Sequence, residues 1–339
     1  MKILHISNFA FNKHGQRYYS IDRKVSAGLI ENGHFVYDYS FRDMARLGTI
    51  FKTKKLGARI ANKEVLQIVD NLQPELILIG HSDLLAPDTL AQIRKRYPQT
   101  KIAFWFVDWL CDPSKVNFIK SIVPYVDTLF CTTGGELLKQ FKLPSNKVSY
   151  IPNIATKSLE FLTQFDKTAY ERGLVFFGTV YKDLAREQFL KELIHQLGEK
   201  FSYFGAFDTN TVYGHHYIDV LAGARCGLNL SRRNDIELYS SDRIIQLTGN
   251  GLLTFTPKVP GFQKLYQSDE VVYFEDEHDL VKKYNYYEQH LDEARHIAKK
   301  GWEKTQQSYN SARITKFMLE LTFDQPLSEA YEWSHEVYA

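Results

Sequence analysis

Apolar and polar positions along this chain alternate in two periods that take turns. Short apolar runs suited to strands occur at residues 2–7 (KILHIS), 34–40, 74–80 (PELILIG), 101–107 (KIAFWFV), 128–133 and 147–152. Between them, Ile21–Asn32, 62–72, 87–97 and 135–142 carry helical spacing. Apolar strands separated by amphipathic helices predict parallel βα units, with the sheet covered on both faces. A polar, irregular stretch at 153–172 then reads as an interdomain connection. The alternation restarts with strands at 173–179, 201–205, 227–231, 252–256 and 270–274. Its helices are expected at 184–197, at 216–224, from Ser240 to a glycine stop at Gly249, and largely through 279–317. The expected fold class is α/β, with two Rossmann-like doubly wound domains. Their expected limits are 1–160 and 161–310, with 311–339 a helix and tail free to cross back to the first domain.

Composition narrows the field. A chain of 339 residues exceeds the usual single core, which favours two domains. Its net charge of +2 gives no basic field for nucleic acid. Cys111, Cys131 and Cys226 are odd in number and lack metal spacing, which fits a reducing, cytoplasmic compartment. The opening MKILHISNF has too short an apolar run for a signal peptide, and no stretch is long enough for a membrane helix.

Ligands of open α/β sheets sit beyond the carboxyl ends of the strands, so the post-strand loops hold the candidate chemistry. In YSSDRIIQLTGNGLLTFTP, Ser240 and Ser241 read as helix caps, yet Arg243 occupies the first turn, where the macrodipole disfavours a cation. With Arg232 nearby, that arrangement suits an anion held by backbone N–H groups and guanidinium. A plain surface pairing of Arg243 with Asp235 or Glu237 is the competing reading. Gly178, at a strand–helix junction, would let a ligand approach the backbone, with Arg186 two turns on. Asp108, between Trp105 and Trp109, is a candidate general base, as are His81 and His14 in equivalent loops. GHSDL (80–84) resembles a hydrolase nucleophile elbow around Ser82, but Leu84 stands where a small residue is required. P-loop, dinucleotide-binding, zinc and D-x-D signatures are missing from the sequence, so neither a metal nor another cofactor is expected. Residues 41–63 hold seven basic and one acidic residue interleaved with apolar ones. Lys52, Lys54 and Lys55 there are candidate contacts to an anionic membrane or an acceptor, against the alternative of a solvated basic face.

One series of features goes further. Strand GLNLS from Gly227 leads through a loop to Arg243, a turn at Gly249, strand LLTFTP from Leu252, strand EVVYFED from Glu270, and a helical end with Trp302, Tyr309 and Arg313. This resembles the C-terminal donor domain of GT-B glycosyltransferases, in the branch typified by CgeB-like spore-maturation proteins. The resemblance implies a GT-B architecture, with two domains facing across a cleft. It also implies metal-independent transfer from a nucleotide diphosphate sugar to a glycan or lipid-linked acceptor in envelope or surface polysaccharide synthesis. The donor would be held by Gly178, Arg186, Arg232, Ser240, Ser241, Arg243 and Gln246, with Ser240 and Ser241 N–H groups and Arg243 stabilising the leaving group. Such an enzyme would be cytoplasmic and peripheral at the inner face of the plasma membrane. Gln246 stands where the family usually has a ribose-binding glutamate. A nucleotide-sugar epimerase or non-catalytic binder on the same fold, and a serine hydrolase using Ser82, are the alternative readings.

Overall fold

The computed structural model describes residues 1–50 and 53–339. The chain divides into two compact units, one of Met1–Pro152 with Ser311–Ala339 and the other of Asn153–Asn310. The tail beyond residue 310 is therefore part of the first unit.

The first unit is a seven-stranded sheet. In chain order its elements are β1 (Lys2–Ser7), α1 (Ile21–Glu31), β2 (Phe35–Ser40), α2 (Phe41–Leu47), α3 (Lys54–Leu72), β3 (Leu76–Ile79), α4 (Pro87–Arg96), β4 (Lys101–Phe106), α5 (Pro113–Ile122), β5 (Thr128–Cys131), α6 (Glu136–Lys139) and β6 (Lys147–Tyr150). All four residues of β3 (LILI) and of β5 (TLFC) are buried, as expected of strands covered on both faces. From one edge inward the spatial order runs β2-β1-β3-β4-β5-β6, all parallel. The order reverses between β1 and β3, which opens a crevice at their carboxyl ends.

The second unit holds β7 (Arg172–Phe177), α7 (Leu184–Leu197), β8 (Phe201–Phe204), α8 (His215–Gly223), β9 (Ala224–Leu228), α9 (Arg243–Thr248), β10 (Leu253–Pro257), β11 (Val272–Phe274), α10 (Glu277–Gln289) and α11 (Leu291–Ser308). Its five parallel strands are ordered β11-β10-β9-β7-β8. Here the reversal lies between β7 and β9. Phe176, Leu190, Leu193, Leu228, Phe255 and Tyr284 lie in its core.

The chain then returns to the first unit as α12 (Ser311–Thr322) and β12 (Val337–Tyr338), which pairs antiparallel with β6. Asn32 at the end of α1 anchors α12 by donating to Ala312 O at 2.8 Å and Thr315 Oγ1 at 2.9 Å.

Several elements differ from the pattern-based expectation. Residues 279–317 form parts of three helices, broken at His290 and at Tyr309–Asn310. Helix α9 begins at Arg243 rather than at Ser240. The reason is local: Ser240 Oγ accepts from Asn229 Nδ2 at 2.9 Å, and Ser241 N–H donates to Ser231 Oγ at 3.0 Å. Those bonds hold the serines to the loop after β9 and leave the helix to start beyond them.

Candidate functional site

Each sheet gathers its chemistry at the reversal of strand order. In the first unit, β1 ends in Ser7 and Asn8, and β3 runs into Gly80 and His81. Asp22, in the first turn of α1, receives Ser7, Asn8 and His81. Its Oδ1 accepts from the Ser7 hydroxyl, from Asn8 N–H at 3.1 Å and from His81 Nδ1 at 3.0 Å. His81 N–H in turn donates to Ser7 Oγ at 3.2 Å. Burial acts to raise the Asp22 pKa, but the adjacent His81 imidazole and the Ser7 and Asn8 donors outweigh it, holding the carboxyl at about 2. Since an ionised carboxylate only accepts, Nδ1 of His81 carries a proton and Nε2 is the face able to take one.

Trp105 fixes the imidazole from the side, with ring centroids 5.0 Å apart in an edge-on arrangement. Its indole N–H donates to His5 Nε2 at 3.2 Å. His5 Nδ1 bonds Ser26 Oγ at 2.8 Å, and Ser26 donates to Asp38 at 2.6 Å. An indole can only donate and a carboxylate only accept, so this chain of hydrogen bonds has one direction, with His5 accepting at Nε2 and donating at Nδ1.

The other base candidates lie elsewhere. Asp108, expected between aromatic surfaces, is instead 44% exposed and ion-paired with Lys115, while Trp105 turns into the sheet toward the two histidines. His14 is exposed at the left-handed end of a short turn and makes none of the Asp22 contacts. Ser82 is buried and donates to Ile6 O at 3.1 Å, so the elbow reading is not carried by an exposed nucleophile. Asp83 beside it is held by Arg42 and Lys54 at 2.7 and 2.8 Å. Lys55 is exposed on α3, and Lys52 lies outside the described residues.

In the second unit the loops after β7 and β9 bring three arginines together. Arg243 donates to Phe177 O at 2.7 Å, Leu230 O at 3.2 Å and Ser241 Oγ at 3.0 Å. Arg186 donates to Leu230 O at 2.8 Å and Thr179 O at 3.0 Å, and Arg232 reaches Thr179 Oγ1 at 3.4 Å. Gly178 lies over this group: a Cβ there would come within 3.1 Å of an Arg243 guanidinium nitrogen. Burial, and then the charges of Arg243 and Arg232, push the Arg186 pKa down to about 10 despite Asp183 nearby. Burial likewise lowers that of Arg243. The three cations repel one another and are held mainly by carbonyls and hydroxyls, with the Asp183 carboxylate 3.6 Å from Arg186 Nε, an arrangement suited to an anion. The competing surface pairing is not what forms, because Arg233 takes Asp235, in a bidentate contact at 2.7 and 2.5 Å.

Two expected donor contacts change. Ser241 N–H is engaged by Ser231, so it is not free for a phosphate. Gln246 is buried, its Oε1 accepting from the Tyr217 hydroxyl and its Nε2 donating to Asp242 at 2.9 Å, so both ends of the amide are committed. Among the described residues, no group of three or more His, Cys, Asp or Glu side chains is placed to hold a metal.

Residues 182–320 match the family described as glycosyl transferase-like. No curated protein sequence matches the chain significantly. Solved structures match throughout its length. Sucrose-phosphate synthase from Thermosynechococcus elongatus has a TM-score of 0.66 at 14% identity, covering 96% of this chain and 98% of that one. Phage T4 β-glucosyltransferase has a TM-score of 0.57 at 13% identity over 96% and 100%. Anabaena HepE, solved in complex with UDP, has a TM-score of 0.55 at 13% identity over 96% and 100%. The chain has the GT-B glycosyltransferase fold. Within it, Arg186, Arg232, Ser240, Ser241, Arg243 and Gln246 lie inside the matched glycosyl transferase-like segment, with Gly178 just before it. The matching C-terminal features prove structural: Trp302 packs on Phe165, Tyr309 bonds Leu265 O, and Arg313 pairs with Glu329 and Glu332.

Asp22 is the residue sequence reasoning missed. An acid in the first turn of a helix is ordinary. Only the fold shows that its partner is a histidine 59 residues away.

Proposed function

We propose that this protein is a glycosyltransferase that moves a sugar from a nucleotide diphosphate donor to a glycan or lipid-linked acceptor without a metal. The carrying observation is the convergence of Arg186, Arg232 and Arg243 at the strand-order reversal of the second sheet, within the glycosyl transferase-like segment. UDP in the HepE structure makes uridine nucleotides the first donors to try. The free thiols Cys111, Cys131 and Cys226 favour a reducing, cytoplasmic location.

The chemistry follows from the two groups of residues. His81 Nε2, in the first unit, is the group able to take the proton of an acceptor hydroxyl. In transfer that hydroxyl's oxygen bonds the anomeric carbon, the carbon's bond to the donor phosphate breaks, and the electron pair leaves on the diphosphate. The three guanidinium groups offset the charge that develops there, the kind of preorganised stabilisation that supplies much of an enzyme's rate. Asp22 keeps the imidazole in the accepting tautomer and offsets its positive charge after transfer. A base that deprotonates the acceptor fits inversion at the anomeric carbon.

The test is a thermal-shift panel of nucleoside diphosphates and nucleotide sugars, followed by analysis of products. One nucleotide class should raise the melting temperature by linkage. Turnover of that donor to free sugar, with no acceptor glycosylated, would favour the binder or epimerase reading instead.

A further inference from the structure

Within residues 41–63, expected as a basic segment preceding a helix around 62–72, α2 packs against the first turns of α3. A Cβ on Gly57 would stand 1.6 Å from Ala45 O, so the two helices cross with their backbones touching. The crossing buries Phe41, Ala45, Gly57 and Ala61 and turns the opposite face of the pair outward.

That outward face is both apolar and cationic. Leu47 is 68% exposed, Ile50 96%, Leu56 59% and Ile60 41%. Gly48 lies beside the Ile60 side chain, which joins the end of α2 to the second turn of α3 in one patch. Lys55, Arg59 and Lys63 are exposed at spacings of four along α3, one row beside Leu56 and Ile60. The acids nearby are already engaged: Asp43 with Ser40 and Phe11 N–H, Glu64 with the Tyr39 hydroxyl, and Asp83 with Arg42 and Lys54.

We infer that this face docks on an anionic lipid bilayer, with the Leu47, Ile50, Leu56 and Ile60 side chains entering the interface and the Lys55, Arg59, Lys63 row meeting lipid phosphates. An apolar row next to a cationic row on one exposed helix is the arrangement that interfacial binding requires. Charge complementarity selects the occupant: Asp83 is balanced by Arg42 and Lys54, and the three cations of the row outnumber Glu64, the acid next to them on α3. Lys54 is not part of this contact, since Asp83 holds it. The inference is independent of the donor site.

Vesicle sedimentation of the full chain tests it, comparing phosphatidylcholine alone with phosphatidylcholine containing phosphatidylglycerol. The protein should pellet with the anionic vesicles at low ionic strength and be released by raised salt. Neutralising the row as Lys55→Gln, Arg59→Gln and Lys63→Gln should weaken binding about a hundredfold. Leu56→Ser with Ile60→Ser should weaken it by at least about tenfold with every charge kept. Lys54→Gln should bind as the wild type does. Unchanged urea unfolding midpoints show that the variants are folded. Failure of the wild type to pellet with anionic vesicles, or full binding by the serine variant, overturns the inference. Conversion of a dimer to a monomer by the serine variant, in a protein that ignores vesicles, overturns it in favour of a second copy covering the face.

Discussion

Replacing Asp22 by Asn removes one charge from a buried carboxylate and leaves its shape. The carboxyl is held at about 2 against an ordinary value of 3.8. A downward shift of that size, at 1.36 kcal/mol per unit, corresponds to a stabilisation of about 2 kcal/mol. The sign follows from the depressed folded value: the stabilisation is fully present above about pH 4 and is lost as pH falls through about 2. Asp22→Asn should therefore lower unfolding free energy by about 2 kcal/mol at pH 5.5, and by roughly half that at pH 3. Urea titrations at the two pH values read this directly. The same substitution should lower kcat on the order of 10²- to 10⁴-fold, because His81 loses the carboxylate that holds its tautomer. Equal unfolding curves for variant and wild type at both pH values would refute the reasoning.

Three further outcomes follow from the second unit. Arg243→Ala orphans Phe177 O and part of the Leu230 O pairing and should cost about 1–3 kcal/mol of stability, whereas Arg232→Ala, at the exposed edge, should change the urea midpoint little. Gln246→Glu replaces the donor to Asp242 with a second carboxylate and should destabilise the fold near neutral pH, with recovery as pH falls into the carboxyl range; equal melting temperatures across that range would count against the contact. On the proposed mechanism the guanidinium groups meet the leaving diphosphate, so transfer activity should survive EDTA; loss in EDTA with recovery in magnesium or manganese would show otherwise.

Much of the fold was legible because buried parallel strands advertise themselves as apolar runs, as LILI and TLFC do. The segment at 41–63 hid its two helices because exposed Leu47, Leu56 and Ile60 break the usual apolar stripe. The edge strand β12 has two residues, too few for a period to show. At the site, the arginines could be found from their unusual places beside helix starts. What they touch could not, since the carbonyls of Phe177, Thr179 and Leu230 carry no sequence mark. The committed state of Gln246 was equally hidden, because Tyr217 lies 29 residues away.

A calorimetric titration of a nucleoside diphosphate into the full chain tests the central claim most directly. One site per chain should appear, with the dissociation constant raised at least about tenfold in Arg232→Ala, which keeps the fold while removing one guanidinium from the cluster. A nucleoside diphosphate panel that gives no saturable heat, or one that binds wild type and Arg232→Ala with equal affinity, would contradict it.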